Sequence, residues 1–333
     1  MAGGLILLTG STGHVGYRTL IEALSKGYNV RAAVRSEAKA AEVRAAKSTG
    51  PYLSQLTFTI VPDIEKEGAF DEAVKGVDYI VHLASPLGNP SLDYDTGLLQ
   101  PAIRGTLGIL YSALKESSIK KVVITSSVLA VLPPDWAAPK HFTADNIEPD
   151  PQGPYDNPFT AYGASKTLAY NRTRDFIARE KPSFDVVNIM PTFVIGKNEL
   201  ATTRTAANSG SNGFVFATLL GNQNPAGTPM ATCHVDDVAF VHIASLSPDI
   251  KGNQSFGVNY VGETPDQWDD ALGIVKQHFP EEVEKGTFPL GGAIKSVPVL
   301  FDASKTEKTF GIKFKNFEDQ VVNLAGYYAT LEA

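Results

Sequence analysis

A phenol and an ammonium stand four residues apart in Tyr162-Gly163-Ala164-Ser165-Lys166, and two hydroxyls, Ser126-Ser127, precede them. On a helix, residues i and i+4 share a face, so both groups address one cleft. A free phenol titrates at about 10, too high for ready proton transfer at neutral pH, and an ammonium beside it favours the phenolate. The pattern reads as a general acid with its activator, and a serine hydroxyl could hold the oxygen that takes the proton. Of the two serines Ser127 is the candidate and Ser126 the alternative. Taken alone, a Tyr and a Lys at this spacing are usually a plain surface pair. Their order behind a second motif changes that reading.

That motif is Thr9-Gly10-Ser11-Thr12-Gly13-His14-Val15-Gly16, directly after the first apolar run. A strand that ends in such a turn and opens a helix aims unpaired N–H groups at a bound pyrophosphate, and the missing side chains allow close approach. Glycines alone could serve a turn and a helix packing contact. At the first strand-to-helix junction of an alternating series they read as a dinucleotide-binding turn contacted by Thr9 to Gly16. Arg35 stands 19 residues after Gly16, where an NAD-preferring site carries an acid for the ribose 2′-hydroxyl. A guanidinium suits a 2′-phosphate instead, and Lys39 adds a second cation, with Glu37 between them as an opposing charge. NADPH is the expected cofactor.

The elements that must position these groups alternate. Apolar runs at 5–9, 28–34, 56–61, 77–83, 121–125 and 184–190 read as strands, several as continuous Val, Ile and Leu, as expected when helices cover both faces. Segments 15–25, 36–47, 96–117 and 160–181 between them are long enough for crossover helices. The fold class is α/β, a doubly wound parallel sheet of the Rossmann type with a smaller carboxy-terminal substrate lobe. Residues 1–195 form the dinucleotide-binding part, 234–261 return to it, and 196–233 with 262–333 build the lobe. The Pro-rich, acidic stretch 132–157 reads as a long surface loop near the site.

Composition excludes other classes. With 36 acidic against 29 basic residues and a formal charge of −7 in 333 residues, the chain lacks the clustered cations of a nucleic-acid binder. No apolar run approaches the roughly 20 residues of a membrane span. The single cysteine, Cys233, can form neither an internal disulfide nor a thiolate cluster, so a cytoplasmic location is expected. His234 with Asp236-Asp237 has no second cluster at ligand spacing. No metal is expected, and a helix cap or buried polar contact is the better reading. Among Trp136, Phe142, Tyr155, Phe159, Phe193, Phe214 and Phe216 most read as core, with one or two walling an apolar pocket.

Over residues 5–260 the chain resembles the extended short-chain dehydrogenases/reductases. It is most similar to their dihydroflavonol reductase, cinnamoyl-CoA reductase and yeast methylglyoxal or aldehyde reductase branch. The resemblance rests on the glycine turn and Val34-Arg35-Ser36, then Val61-Pro62-Asp63-Ile64 and His82-Leu83-Ala84-Ser85-Pro86. Gly105-Thr106-Leu107, Thr125-Ser126-Ser127 and the Tyr–Lys motif follow, and Met190-Pro191-Thr192-Phe193-Val194 and His234-Val235-Asp236-Asp237-Val238 complete it. It implies that Asp63 and Ile64 flank the adenine and that Leu83, Ala84 and Ser85 line the ribose and phosphate path. It also implies that Pro191 to Val194 meet the nicotinamide, and that Tyr162 and Lys166 touch the cofactor as well as acting in catalysis. The family's usual active-site Asn is not placed by these motifs. The implied reaction is reduction of a ketone or aldehyde by NADPH in a monomer or homodimer. A nucleotide-sugar epimerase or dehydratase is the second reading, opposed by Ala102 where such members carry Asn. A non-catalytic NADPH-binding regulator is the third, opposed by the presence of both Tyr162 and Lys166. Flavonoid-like ketones, aromatic aldehydes, thioesters, dicarbonyls and polyketide intermediates all fit the motifs. The Michaelis constant for NADPH is expected to lie at least about tenfold below that for NADH, given a guanidinium–phosphate pair; equal constants would defeat the Arg35 assignment.

Overall fold

In the computed structural model, residues 3–85, 93–133 and 141–332 are described. Seven parallel strands form the main sheet: β1 (Leu5–Thr9), β2 (Asn29–Val34), β3 (Leu56–Ile60), β4 (Tyr79–His82), β5 (Lys121–Thr125), β6 (Asp185–Pro191) and β7 (Gln254–Val258). Their order is β7-β6-β5-β4-β1-β2-β3, so the direction of winding reverses between β1 and β4. In such a sheet the crevice at the reversal, beyond the carboxyl ends, is where ligands bind. The central strands are buried along their length because helices cover both faces.

The crossover helices are α1 (His14–Ser25), α2 (Glu37–Ala45), α3 (Gln100–Ala113) and α4 (Pro158–Glu180). Local chemistry sets their ends. Ser36 caps α2 by accepting the Lys39 N–H. Asn157 and Thr160 form a reciprocal capping box, with Pro158 at the first turn, so α4 starts two residues before the expected 160. A π-helical turn at Asp95–Leu99 leads into α3.

The described residues 141–157 are mostly irregular and exposed or half-buried, as expected of a surface loop, with one departure. Phe142–Thr143 pairs in parallel with Phe301–Asp302, and Leu132, Phe142 and Ala144 are buried with Met190 and Phe301. Gly257 on β7 makes room: a Cβ there would lie 2.3 Å from the Phe301 ring. The lobe joins Phe193–Ile195 to Thr232–His234 and Gln223–Met230 to Ala293–Pro298. Its core gathers around Trp268, which is fully buried with its indole N–H donating to Pro229 O at 3.2 Å.

Two buried histidines brace the sheet. His242 Nδ1 lies 2.7 Å from Val238 O, which can only accept, so Nε2 is left to accept the Thr125 hydroxyl at 2.7 Å. Burial lowers the His242 pKa to about 4; burial and the Lys166 charge lower that of His82 to about 3. Both rings are neutral when folded and free to protonate when unfolded, so stability is lost as pH falls from 6.5 toward 4. Each should cost about 2 kcal/mol by pH 5. The urea midpoint should therefore fall between pH 7 and pH 5, and His242→Gln should flatten that slope.

Candidate active site

The carboxyl end of β1 turns through Gly10, whose φ of +80° is in the left-handed region that glycine tolerates. A Cβ on Gly10 would lie 2.8 Å from Ala84 N, and one on Gly16 would lie 1.9 Å from Gly10 O, so both glycines are required by packing. Gly13 is different: its Cβ would meet only Gly10 O, at 3.5 Å, and the residue is exposed. The first turn of α1 has no side-chain cap, and its N–H groups face the space over Gly13. The Ser11 hydroxyl is buried and has no hydrogen-bond partner among the described residues. Uncapped N–H groups, an unpartnered hydroxyl and a bare glycine fit a phosphate group.

Three of the other cofactor candidates have side chains engaged away from the turn. Thr9 is buried beneath the turn; its hydroxyl accepts the Leu83 and Ala84 N–H groups at 3.2 and 3.0 Å and donates to His82 Nδ1 at 3.0 Å. With its bonding capacity used, it braces the turn instead of facing a ligand. The His14 ring lies against the Gly196 and Lys197 backbone in a side cavity behind α1, and its pKa is lowered to about 4 by burial, so only its backbone serves the groove. Val194 packs into the main core because alternation along Phe193–Ile195 turns its neighbours the other way.

Arg35 is exposed at the end of β2 with no carboxylate partner among the described residues. Lys39 is paired with Glu42 at 2.5 Å. Thr12 and Val15 are half-buried, Ser85 is exposed, and Asp63 is exposed with Oδ1 accepting the Glu65 N–H at 2.9 Å. Ile64 packs on the second core cluster. Pro86 and Trp136 lie outside the described residues.

Ser127, Tyr162 and Pro191 meet at one cavity of about 400 Å³. Ser127 caps the short turn Val128–Ala130, and its Oγ accepts the Leu129 N–H at 3.2 Å. Ser126 is not in the cavity wall; its N–H donates to Ile189 O at 2.7 Å. Tyr162 is 40% exposed, whereas Lys166 is 8% exposed with Nζ 5.4 Å from the Tyr162 ring centre. The pair thus shares the inner face of α4. Phe159, Phe193 and Phe214 also wall the cavity, while Phe142 and Phe216 are core and Tyr155 lines a neighbouring cavity. Leu129, Leu132, Pro229, Ala231 and Val299 were not foreseen, because they come from turns and a late strand end without periodic signal.

His234 Nδ1 accepts the Asp236 N–H at 3.0 Å, capping the helix Val235–Ala244, and Asp236 is paired with Arg18 and Lys315. Cys233 is buried, and burial pushes its thiol up to about 12.

A sheet wound both ways, with an anion-ready turn at the reversal and a phenol–ammonium pair across the crevice, defines the class of dinucleotide-dependent enzymes of Rossmann type. A family model described as the NAD dependent epimerase/dehydratase family matches residues 6–256, and the chain belongs to that family. It is similar to ketoreductase CTB6 of Cercospora nicotianae, 38% identical over 99% of this chain and 96% of the relative. It is also similar to the NAD-dependent epimerase/dehydratase ALT6 of Alternaria alternata, 35% identical over 95% of each. Among solved structures, Gre2 of Candida albicans in complex with NADPH aligns over 99% of both chains with a TM-score of 0.83 and 25% identity. Ser127→Ala should lower carbonyl turnover by about 10²-fold, the usual cost of an oxyanion donor, whereas Ser126→Ala should change it less than about tenfold; equal losses would reverse the assignment.

Proposed function

We propose that the protein is an NADPH-dependent reductase that converts a ketone or aldehyde to the alcohol, with Tyr162 as general acid. The observation that carries this reading is the convergence of Ser127 and Tyr162, with Lys166 behind them, on one apolar cavity at the carboxyl edge of the sheet. Thr12 to Gly16 and Ser11 would hold the pyrophosphate, Arg35 a 2′-phosphate, and Lys166 the nicotinamide ribose. When bound, NADPH supplies the hydride.

The chain's own groups do the rest. Leu129 N–H occupies one lone pair of Ser127 Oγ, which leaves the hydroxyl proton free to donate to a substrate carbonyl oxygen. That bond strengthens as negative charge develops on the oxygen. Tyr162 then transfers its phenolic proton to the same oxygen, completing the alcohol, and the Lys166 ammonium stabilises the phenolate that remains. Val128, Leu129 and the three phenylalanines exclude water from the reacting carbonyl.

The epimerase reading meets an obstacle in the cavity wall. Among the described lining residues there is no Lys or Arg to neutralise a nucleotide diphosphate. Tyr162→Phe should reduce turnover of a carbonyl panel by about 10²–10⁴-fold while NADPH affinity changes less than about threefold. Absorbance loss at the nicotinamide band and a fluorescence titration would check both; full activity without the hydroxyl would end the proposal.

A further inference from the structure

The catalytic cavity has a neighbour. A second space of about 340 Å³ lies on the other side of a wall made of Leu129, Leu132 and Phe159, the three residues that line both. Each space alone is within the range of a small-ligand site, roughly 300–1,000 Å³. The second is bounded by several prolines, Tyr155 and α4 at Gly163 and Ala164.

The three wall residues are not equally fixed. Leu132 is buried in the cluster built around Phe142 and Phe301, and Leu129 packs against it. Phe159 belongs to none of the five apolar clusters of the described residues, stacks on no other ring there, and is 37% exposed. Its backbone is nonetheless anchored, because its N–H donates to the Asn157 cap at 3.0 Å. The partition therefore depends on one aromatic ring that no apolar cluster of the described residues holds and whose rotamer can change while its capped backbone stays in place.

Charge narrows what could cross it. Among the described residues neither cavity is lined by Lys or Arg, and the second presents the carboxyl-bearing Asp156. Against these described walls an anionic substrate would lose hydration without gaining a counter-ion.

Resting on the reductase reading, we infer that Phe159 is the specificity-determining partition between the catalytic cavity and a second substrate subsite. The substrate is accordingly a neutral ketone, multi-ring or chain-extended, whose carbonyl meets Tyr162 while its distal part passes the Phe159 ring. Replacing the ring with a methyl group joins the two spaces. A larger ring closes them.

The test compares acetophenone, 4-acetylbiphenyl and 4-acetylbenzoate with the full-length protein, Phe159→Ala and Phe159→Trp. The ratio of kcat/KM for 4-acetylbiphenyl to that for acetophenone should rise at least about tenfold in the Ala variant and fall at least about tenfold in the Trp variant, a range typical of pocket-size discrimination. A ratio within about threefold of the unmodified protein in both variants would overturn the partition. 4-Acetylbenzoate should be used at least about 100-fold less efficiently than acetophenone, given the cost of burying an unpaired carboxylate; comparable use overturns the neutral-substrate assignment. Calorimetric titration of 4-acetylbiphenyl into the NADP⁺-loaded proteins separates the two levels of inference. If the unmodified protein reduces no ketone, the reductase reading fails, yet tighter binding to the Ala variant and weaker binding to the Trp variant still support the subsite. Equal affinities refute it.

Discussion

The site depends on how closely two backbones approach at the point where the sheet reverses its winding. Gly10, ending β1, lies so near Leu83 and Ala84, beyond β4, that a methyl group would not fit between them. The Thr9 hydroxyl closes the contact by accepting from both Leu83 and Ala84 and donating to His82. One small side chain therefore supplies the acceptor for Ala84 N–H and shares Leu83 N–H with the Thr9 carbonyl, which accepts it at 3.3 Å, at the end of a buried strand. The approach also sets where α1 begins, because Gly16 packs directly on Gly10 O. The direction of the uncapped α1 N-terminus, and so the path of any phosphate bound there, follows from this contact.

Electrostatics ties that contact to the chemistry. The Thr9 hydroxyl uses its proton on His82 Nδ1, so the hydrogen of the ring is carried by Nε2, which is buried near the edge-on ring of Phe70. Burial first, and the Lys166 charge second, disfavour a proton on the remaining nitrogen. A neutral imidazole beneath the pair leaves the Lys166 ammonium as the cation nearest the Tyr162 ring. A charged His82 would set a second cation against it and break the bond that braces the turn. The residue that supports the glycine turn and the residue that would sustain proton transfer are thus coupled through one ring that must stay uncharged.

Much of this was legible in the chain because the groups concerned are set by short-range rules. Glycines at 10, 13 and 16 next to an apolar strand have one economical backbone explanation, and Tyr162 with Lys166 needs only the helical repeat to share a face. The continuous apolar strands and their crossover helices were equally readable from periodicity. What the sequence left unread was long-range. Thr9 looked like a ligand contact because its motif begins there, yet its partners are 73 to 75 residues away. His14 sits inside the motif, but its ring is claimed by Gly196 and Lys197 from the far side of the chain. Within the loop read at 132–157, Pro and acidic residues hide a strand of two residues, Phe142–Thr143, whose partner is near position 301.

The cavity walls show the same division with a functional consequence. Ser127, Tyr162 and Pro191 are carried by β5, α4 and β6, elements whose positions are fixed by the main sheet and its register. Phe214 and Pro229 are tied to a separate core around Trp268, by a ring contact and by the indole hydrogen bond, and Val299 packs on the cluster around Phe142 and Phe301. Phe159 stands at the seam, one helical turn before Tyr162 and outside both cores. A side chain there alters the space of the cavity while Ser127 and Tyr162 keep their places. On the proposed reading, reaction type and substrate size would be governed by different parts of the molecule, and the division falls within the first turns of α4.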